Sequence, residues 1–206
     1  MRTSAFAAAA AVLLTLTMSA CGDHATSKAA ASQAPAVADP NSNPPPGKTQ
    51  FGAACATFPT DPANPGSFES MAKRPVAAAV AANPAMSSLA DAAKRAGLTN
   101  ALNAAPGITV FAPANVAFSK LPKDDLRKLL ADKKGLAGIL NYHVVPGKVT
   151  PDHLAGQHKT RQGGTISVTR QGAKYKVNGR STVVCGNVQT ANATIYLIDT
   201  LLTPPR

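Results

Sequence analysis

The apolar positions of this chain fall into four stretches with different rhythms. Ala5 to Leu16 is a nearly unbroken run, AFAAAAAVLLTL, preceded by a single charge at Arg2. About twelve apolar or small residues are too few to span a bilayer as a helix but suit the hydrophobic part of an export signal. From Gly22 to about Thr49 there is hardly a large apolar side chain, and Asn43-Pro44-Pro45-Pro46-Gly47 closes the stretch. Burial cannot offset the ordering entropy of such a segment, so it is expected to be an extended, partly polyproline spacer.

The third stretch reads as helical. Asn83-Pro84 supplies a cap and a first-turn proline ahead of Met86, Leu89, Ala90 and Ala93, and Gly97 stands where a helix-ending glycine belongs. A second helix is expected over Pro122 to Leu130, with Leu126, Leu129 and Leu130 inward. A third runs near Leu136 to Asn141, and Ile108-Thr109-Val110-Phe111 reads as a buried strand between the first two. In the fourth stretch the period shortens. Thr165 to Arg170, Lys174 to Val177, Ser181 to Val184 and Thr194 to Ile198 are strand-like, separated by Gln171-Gly172, Asn178-Gly179 and Gly186-Asn187. Asn178-Gly179 is the strongest hairpin signal, because both central residues of that turn need positive φ. Helices first and strands mostly later predict an α+β fold.

Composition bounds this picture. The chain has 206 residues and 45% are apolar, but close to half of those are alanine. The remainder fills one core, so one domain is expected behind a tail. No period of 20–50 residues repeats, which excludes solenoids and propellers. The organisation expected is an export signal over 1–20, a disordered tether over 21–50, a lead-in over 51–65 and the folded domain over 66–206. Formal net charge is +11, and the folded part carries +10, which favours anionic partners. Tryptophan is absent and aromatics are only 4%, poor material for stacking nucleic-acid bases.

Three cysteines, at 21, 55 and 185, rule out a four-cysteine zinc site and a disulfide-dense scaffold. Met18-Ser19-Ala20-Cys21 resembles the lipobox of bacterial lipoproteins, with methionine where leucine is usual. The resemblance implies cleavage before Cys21 and acylation of its thiol, giving a membrane anchor without a spanning helix. The other reading of the same residues is an ordinary export signal with a cysteine near its cleavage site.

Thr109-Val110-Phe111-Ala112-Pro113-Ala114-Asn115-Val116-Ala117-Phe118 resembles the first signature box of the fasciclin domain. Ala191 to Pro204, ANATIYLIDTLLTP, resembles the closing box, and Tyr142-His143 falls where the family carries its Tyr-His pair. One departure is Ala114, where the box often has threonine. The resemblance covers roughly Gly66 to Pro205 and implies helices packed on a mostly antiparallel sheet, as a sandwich or wedge. In the boxes, Pro113 should end its strand, Asn115 cap the following turn, and Val116 and Phe118 seat that turn on the sheet. Ile195, Tyr196, Leu197 and Ile198 should form a central strand buried on both faces, with Asp199 taking N–H groups at its end.

The chain further resembles secreted and lipid-anchored bacterial fasciclin antigens, which pair a cysteine before the domain with one in the late hairpin. That implies a Cys55–Cys185 disulfide, closing about 130 residues and worth up to roughly 5 kcal/mol in the chain-entropy model; two buried thiols are the alternative. The resemblance also makes Tyr142 and His143 candidates for interaction, against a reading in which both serve the fold. Lys174 and Lys176 share one face of a strand, with Arg180 at the turn and Arg170 before it, either as a binding patch or as solvated edge lysines. The segment from Lys148 onward has eight basic residues against two acidic ones.

Nothing nominates catalysis. There is no G-x-S-x-G, no phosphate loop and no separated carboxylate pair, and the histidines at 24, 143, 153 and 158 lack metal-ligand spacing. Asn192-Ala193-Thr194 matches a glycosylation sequon by accident of a strand sequence. The function expected is a lipid-anchored, non-catalytic surface adhesion module. It would need no cofactor or metal, meet the membrane through Cys21, bind an anionic glycan, lipid or protein of the envelope or host, and not bind nucleic acid. The second class is a carrier for an anionic or lipidic ligand held between helices and sheet.

Overall fold

Two separate apolar layers organise the computed structural model, which describes residues 49–205. The expected export signal, Cys21, His24 and nearly all of the tether lie outside these residues, as does Arg206.

The helical half contains α1 (Phe68–Ala72), α2 (Val76–Ala82), α3 (Ser87–Ala96) and α4 (Thr99–Ala104), then α5 (Asn115–Ser119), α6 (Lys123–Ala131) and α7 (Lys133–Tyr142). Their boundaries follow local chemistry. The Ser67 hydroxyl accepts from Ser70 N–H at the start of α1, Asp132 accepts from Gly135 N–H at the start of α7, and Gly97 ends α3 at φ 72°. Asn83 caps a short 3-10 turn over Pro84–Met86 that leads into α3. On α6, Leu126, Leu129 and Leu130 are only half-buried and pack against the edge of the core. Ala79 of α2 and Ala90, Ala92, Ala93 and Ala96 of α3 are buried, small side chains that let the short helices approach closely.

The strands are β1 (Ile108–Pro113), β2 (Val144–Pro146), β3 (Gly156–Lys159), β4 (Thr165–Gln171), β5 (Lys174–Val177), β6 (Ser181–Gln189) and β7 (Ala193–Ile198). They form one sheet in the order β2-β1-β7-β6-β5-β4-β3. Neighbours pair antiparallel except β1 and β7, which run parallel with Val110 opposite Ile195. The sheet curls, and backbone bonds from Arg161 N–H to Val144 O and from Gln162 N–H to Asn141 O bring its ends together. It is thus one nearly barrel-like sheet rather than a two-sheet sandwich.

Strand β7 separates the two layers. Ile195 and Leu197 join Leu89, Leu136, Leu140 and Val110 between helices and sheet. Tyr196 and Ile198 join Phe111, Ile166, Val168, Tyr175 and Val177 inside the curl. Period-2 alternation sends successive residues to opposite faces, so a strand apolar at every position serves both layers.

Several local expectations need correction. Gly186-Asn187 does not end a strand: β6 runs through it with two register shifts, and Asn187 adopts φ 60°. Glycine and asparagine here make a bulge. Asn115 does not cap its own turn. Its Oδ1 accepts from Ser88 N–H at 3.0 Å and its Nδ2 donates to Pro84 O at 2.8 Å. It thereby caps α3, whose own flanking Met86 offers no side-chain cap. Val116 does not seat the turn either. It is 49% exposed, while Ala117 and Phe118 are buried.

Candidate functional site

Lys174 and Lys176 project from β5 on one side, and Tyr175 and Val177 go into the inner layer on the other. The register extends the lysine face across neighbouring strands. Lys174 lies opposite Gln171 and Lys176 opposite Thr169, while Ser167 and Thr165 continue the row on β4 opposite Gln157 and Lys159 of β3. All but Lys176 are exposed, and Lys176 is half-buried. None of β3, β4 or β5 carries a carboxylate. The helices cover the corresponding face over β2, β1, β7 and β6, leaving a polar surface of hydroxyls, amides and three ammonium groups on β3, β4 and β5.

Arg170 does not belong to this face. Its register partner is Tyr175, and its guanidinium lies 5.9 Å from the Tyr175 ring centroid. Arg180 is exposed beside the turn, where Asn178 and Gly179 both take positive φ, and lines an open groove with Tyr142, Thr165, Asn178 and the terminal segment 200–205.

Tyr142 and His143 are each only 1% exposed. The Tyr142 hydroxyl donates to Thr165 O at 2.8 Å and accepts from Asn178 Nδ2 at 3.0 Å, tying α7 to the β5–β6 hairpin. His143 Nδ1 lies 2.9 Å from Ile139 O, and Nε2 accepts from Leu202 N–H at 3.0 Å. That pair of bonds defines a neutral ring protonated on Nδ1. Burial pulls its pKa down to about 4, against a smaller opposing effect of the Ile139 carbonyl. Both side chains are thus committed to partners inside the fold.

Cys55 and Cys185 are joined by a disulfide. The lead-in also pairs by backbone, Phe51 with Gly186, and sets the Phe51 ring 5.3 Å from that of Tyr175 and 6.2 Å from that of Tyr196. A Cβ on Gly186 would collide with the Phe51 ring. Further on, Phe58 stacks on Phe68 at 4.5 Å.

Asp199, after β7, accepts from Thr182 N–H at 2.8 Å and meets Lys120 Nζ at 3.3 Å. Burial works to raise its pKa, but these partners and the Thr200 hydroxyl outweigh it and hold the carboxyl below its usual range. Asn192, the sequon asparagine, donates to the carbonyls of Leu102, Asn103 and Ala105 and accepts from Val76 N–H, locking α2 and α4 to the β6–β7 turn. Asn192 and Asn115 organise the helical layer through bonds distant in sequence, a role that neither the sequon nor the first box reveals. Among the described residues, no cluster of three or more His, Cys, Asp or Glu could hold a metal, and no helix is long and apolar enough to cross a membrane.

Known proteins give the arrangement a context. The immunogenic protein MPB70 of Mycobacterium bovis is 42% identical over 160 residues, covering 75% of this chain and 82% of its own. The cell surface glycolipoprotein MPB83 of the same species is 41% identical over 187 residues, 88% of this chain and 81% of its own. Among solved structures, a FAS1 domain pair from the insect cell adhesion molecule fasciclin I superposes with a TM-score of 0.58 at 20% identity. That match covers 65% of this chain and about half (52%) of the insect one, and it shows the shared fold. The family model of the fasciclin domain matches residues 84–204, and the chain belongs to the fasciclin-domain family.

Proposed function

We propose that this protein is an exported, lipid-anchored surface module that adheres through the uncovered face of β3, β4 and β5 to an anionic polymer of the envelope or host surface, without catalysis. The observation that carries the reading is that face itself: exposed, free of carboxylates, and bearing Lys159, Lys174 and Lys176 among hydroxyl and amide groups. Ammonium groups spaced along a rigid sheet suit a repeating anion better than a single small ligand, because each exposed ion pair is weak and several must act together. The anchor rests on Met18-Ser19-Ala20-Cys21 behind the apolar run, and a relative named as a cell surface glycolipoprotein supports the location.

The test of adhesion is retention of the full chain on a sulfated-glycan matrix across a salt gradient. Lys174→Glu with Lys176→Glu should elute at distinctly lower salt. Arg170→Glu, on the opposite side of the sheet, changes the net charge less but by the same step per site and should elute far closer to the parent. Equal shifts per charge for both faces would reduce the effect to net charge and overturn the reading. The anchor is tested separately by mass spectrometry of the native N-terminus, where an unmodified Cys21 thiol overturns it.

A further inference from the structure

A cavity of about 150 Å³ lies between α2, α3, α4, α7 and the sheet. Its walls are almost wholly apolar, with Val76, Val80, Leu89, Leu102, Val110 and Leu140 among them. Native interiors are packed with few voids of this size, and an apolar cavity of roughly 150 Å³ is enough to take up benzene. This one exists because the helices facing it carry alanine where larger side chains would fill the space. Ala77 and Ala81 of α2 and Ala90 and Ala93 of α3 all line it. His143 lines it too, but its two nitrogens are occupied by Ile139 O and Leu202 N–H and offer nothing to a guest.

The mouth has a different chemistry. Lys94 lines the cavity and is exposed, and it belongs to none of the ion pairs among the described residues. Thr99 and Asn103 also line the cavity, and Asn103 Oδ1 already accepts from Ala77 N–H at 2.9 Å. Asp91, one turn earlier on α3, is exposed and lies outside the lining. An apolar chamber with one ammonium at its opening matches a guest with an apolar end and a single anionic head.

The geometry points to a binding site for a small amphipathic anion, an aryl or short alkyl carboxylate whose apolar end enters the alanine-walled cavity and whose carboxylate meets Lys94. The site is separate from the β3–β5 face, and its existence does not depend on adhesion there.

The test titrates the full chain with 3-phenylpropionate and, as the neutral match, 3-phenylpropan-1-ol, following backbone amide shifts and melting temperature. The acid should bind with a dissociation constant on the order of 1 mM or tighter, given its size. The alcohol should bind several-fold more weakly, since an exposed ion pair contributes modestly. Lys94→Glu should remove the preference for the acid and leave the alcohol unaffected. Ala90→Leu should abolish binding of both. Ala77→Leu, at the half-buried rim, should do the same and serves if the first variant melts early. Failure of both compounds to bind overturns the site, as does acid binding that survives both leucine variants. Equal affinity for acid and alcohol overturns the anionic head. Self-association by sedimentation, without binding of either compound, overturns it in favour of a side chain from a second copy.

Discussion

The two halves of the sheet differ in what lies on their second face. Every residue of β7 is buried, because helices cover one side and the inside of the curl takes the other. In β4, Ile166 and Val168 are buried while Thr165, Ser167 and Thr169 are exposed. Both halves share the inner layer, so the difference comes from the helices alone. In the covered half, polar side chains are spent on internal bonds. Thr109 Oγ1 donates to Gly147 O and accepts from Val149 N–H. In the open half the outward hydroxyls face water. A sheet with one free face can change that face without disturbing the core, which is why a partner is sought there and not at the buried Tyr142-His143 pair.

The largest test of the contrast is truncation on each half. Leu197→Ala should cost about 4 kcal/mol, as for other fully buried leucines whose neighbours cannot collapse into the gap. Thr169→Ala on the open face should stay within about 0.5 kcal/mol. Urea unfolding of both variants gives the comparison, and similar losses would mean that the open face is covered in solution.

The contrast was legible in sequence where rhythm carried it. Ile195-Tyr196-Leu197-Ile198 without a polar interruption foretold burial on both faces, and the spacing of Lys174 and Lys176 foretold a shared side for that pair. Asn83-Pro84 and Gly97 bracketed α3 to within a few residues because capping is local. What stayed hidden was set by distant partners. Gly156-Gln157-His158-Lys159 has no apolar residue and is a strand only because β4 pairs with it. α2 is VAAAVAA, in which Val76 and Val80 alone mark the inward face. Asn115 could be recognised as a cap, but the helix it caps lies 27 residues upstream. The lysine pair was placed correctly on one face, whereas Arg170 needed the register to show that it points the other way.

The lead-in sharpens the contrast from outside, since it is fastened to β6 while its Phe51 ring reaches both Tyr196 of the covered half and Tyr175 of the open half. Replacing Cys55 and Cys185 with serine should cost about 3 kcal/mol, because the unfolded chain regains the freedom of a long loop. Chemical denaturation with and without reductant measures this. A loss below about 1 kcal/mol would mean that the lead-in is held by Phe51 and its neighbours rather than by the bond.

Acid should also act on the covered half. His143 has a folded pKa of about 4 against an ordinary value of 6.5, so the unfolded state binds a proton that the folded state refuses. Its contribution is complete above 6.5 and is lost as pH falls from there towards 4, by about 3 kcal/mol in all. Asp199, held below its usual range, adds its own loss only at lower pH, as it protonates. Stability measured between pH 7 and 4 should therefore slope downward, and His143→Gln should flatten that slope. An unchanged slope in the variant would assign the acid sensitivity elsewhere.

The smallest effect on stability is expected where the effect on binding is largest. Lys174 faces Gln171, and Lys176 sits between Thr169 of β4 and Thr182 of β6, so neither lysine has a carboxylate opposite it on the sheet. Reversing both charges breaks no ion pair and opens no cavity, and the unfolding free energy should change by no more than about 0.5 kcal/mol. The two new carboxylates would repel each other much as the two ammonium groups do, so their mutual interaction is nearly unchanged. Retention on an anionic matrix should nevertheless fall. If the double variant were instead destabilised by 2 kcal/mol or more, well beyond the usual surface range, the lysine stems would be packing against something, and β5 would belong with the covered half after all.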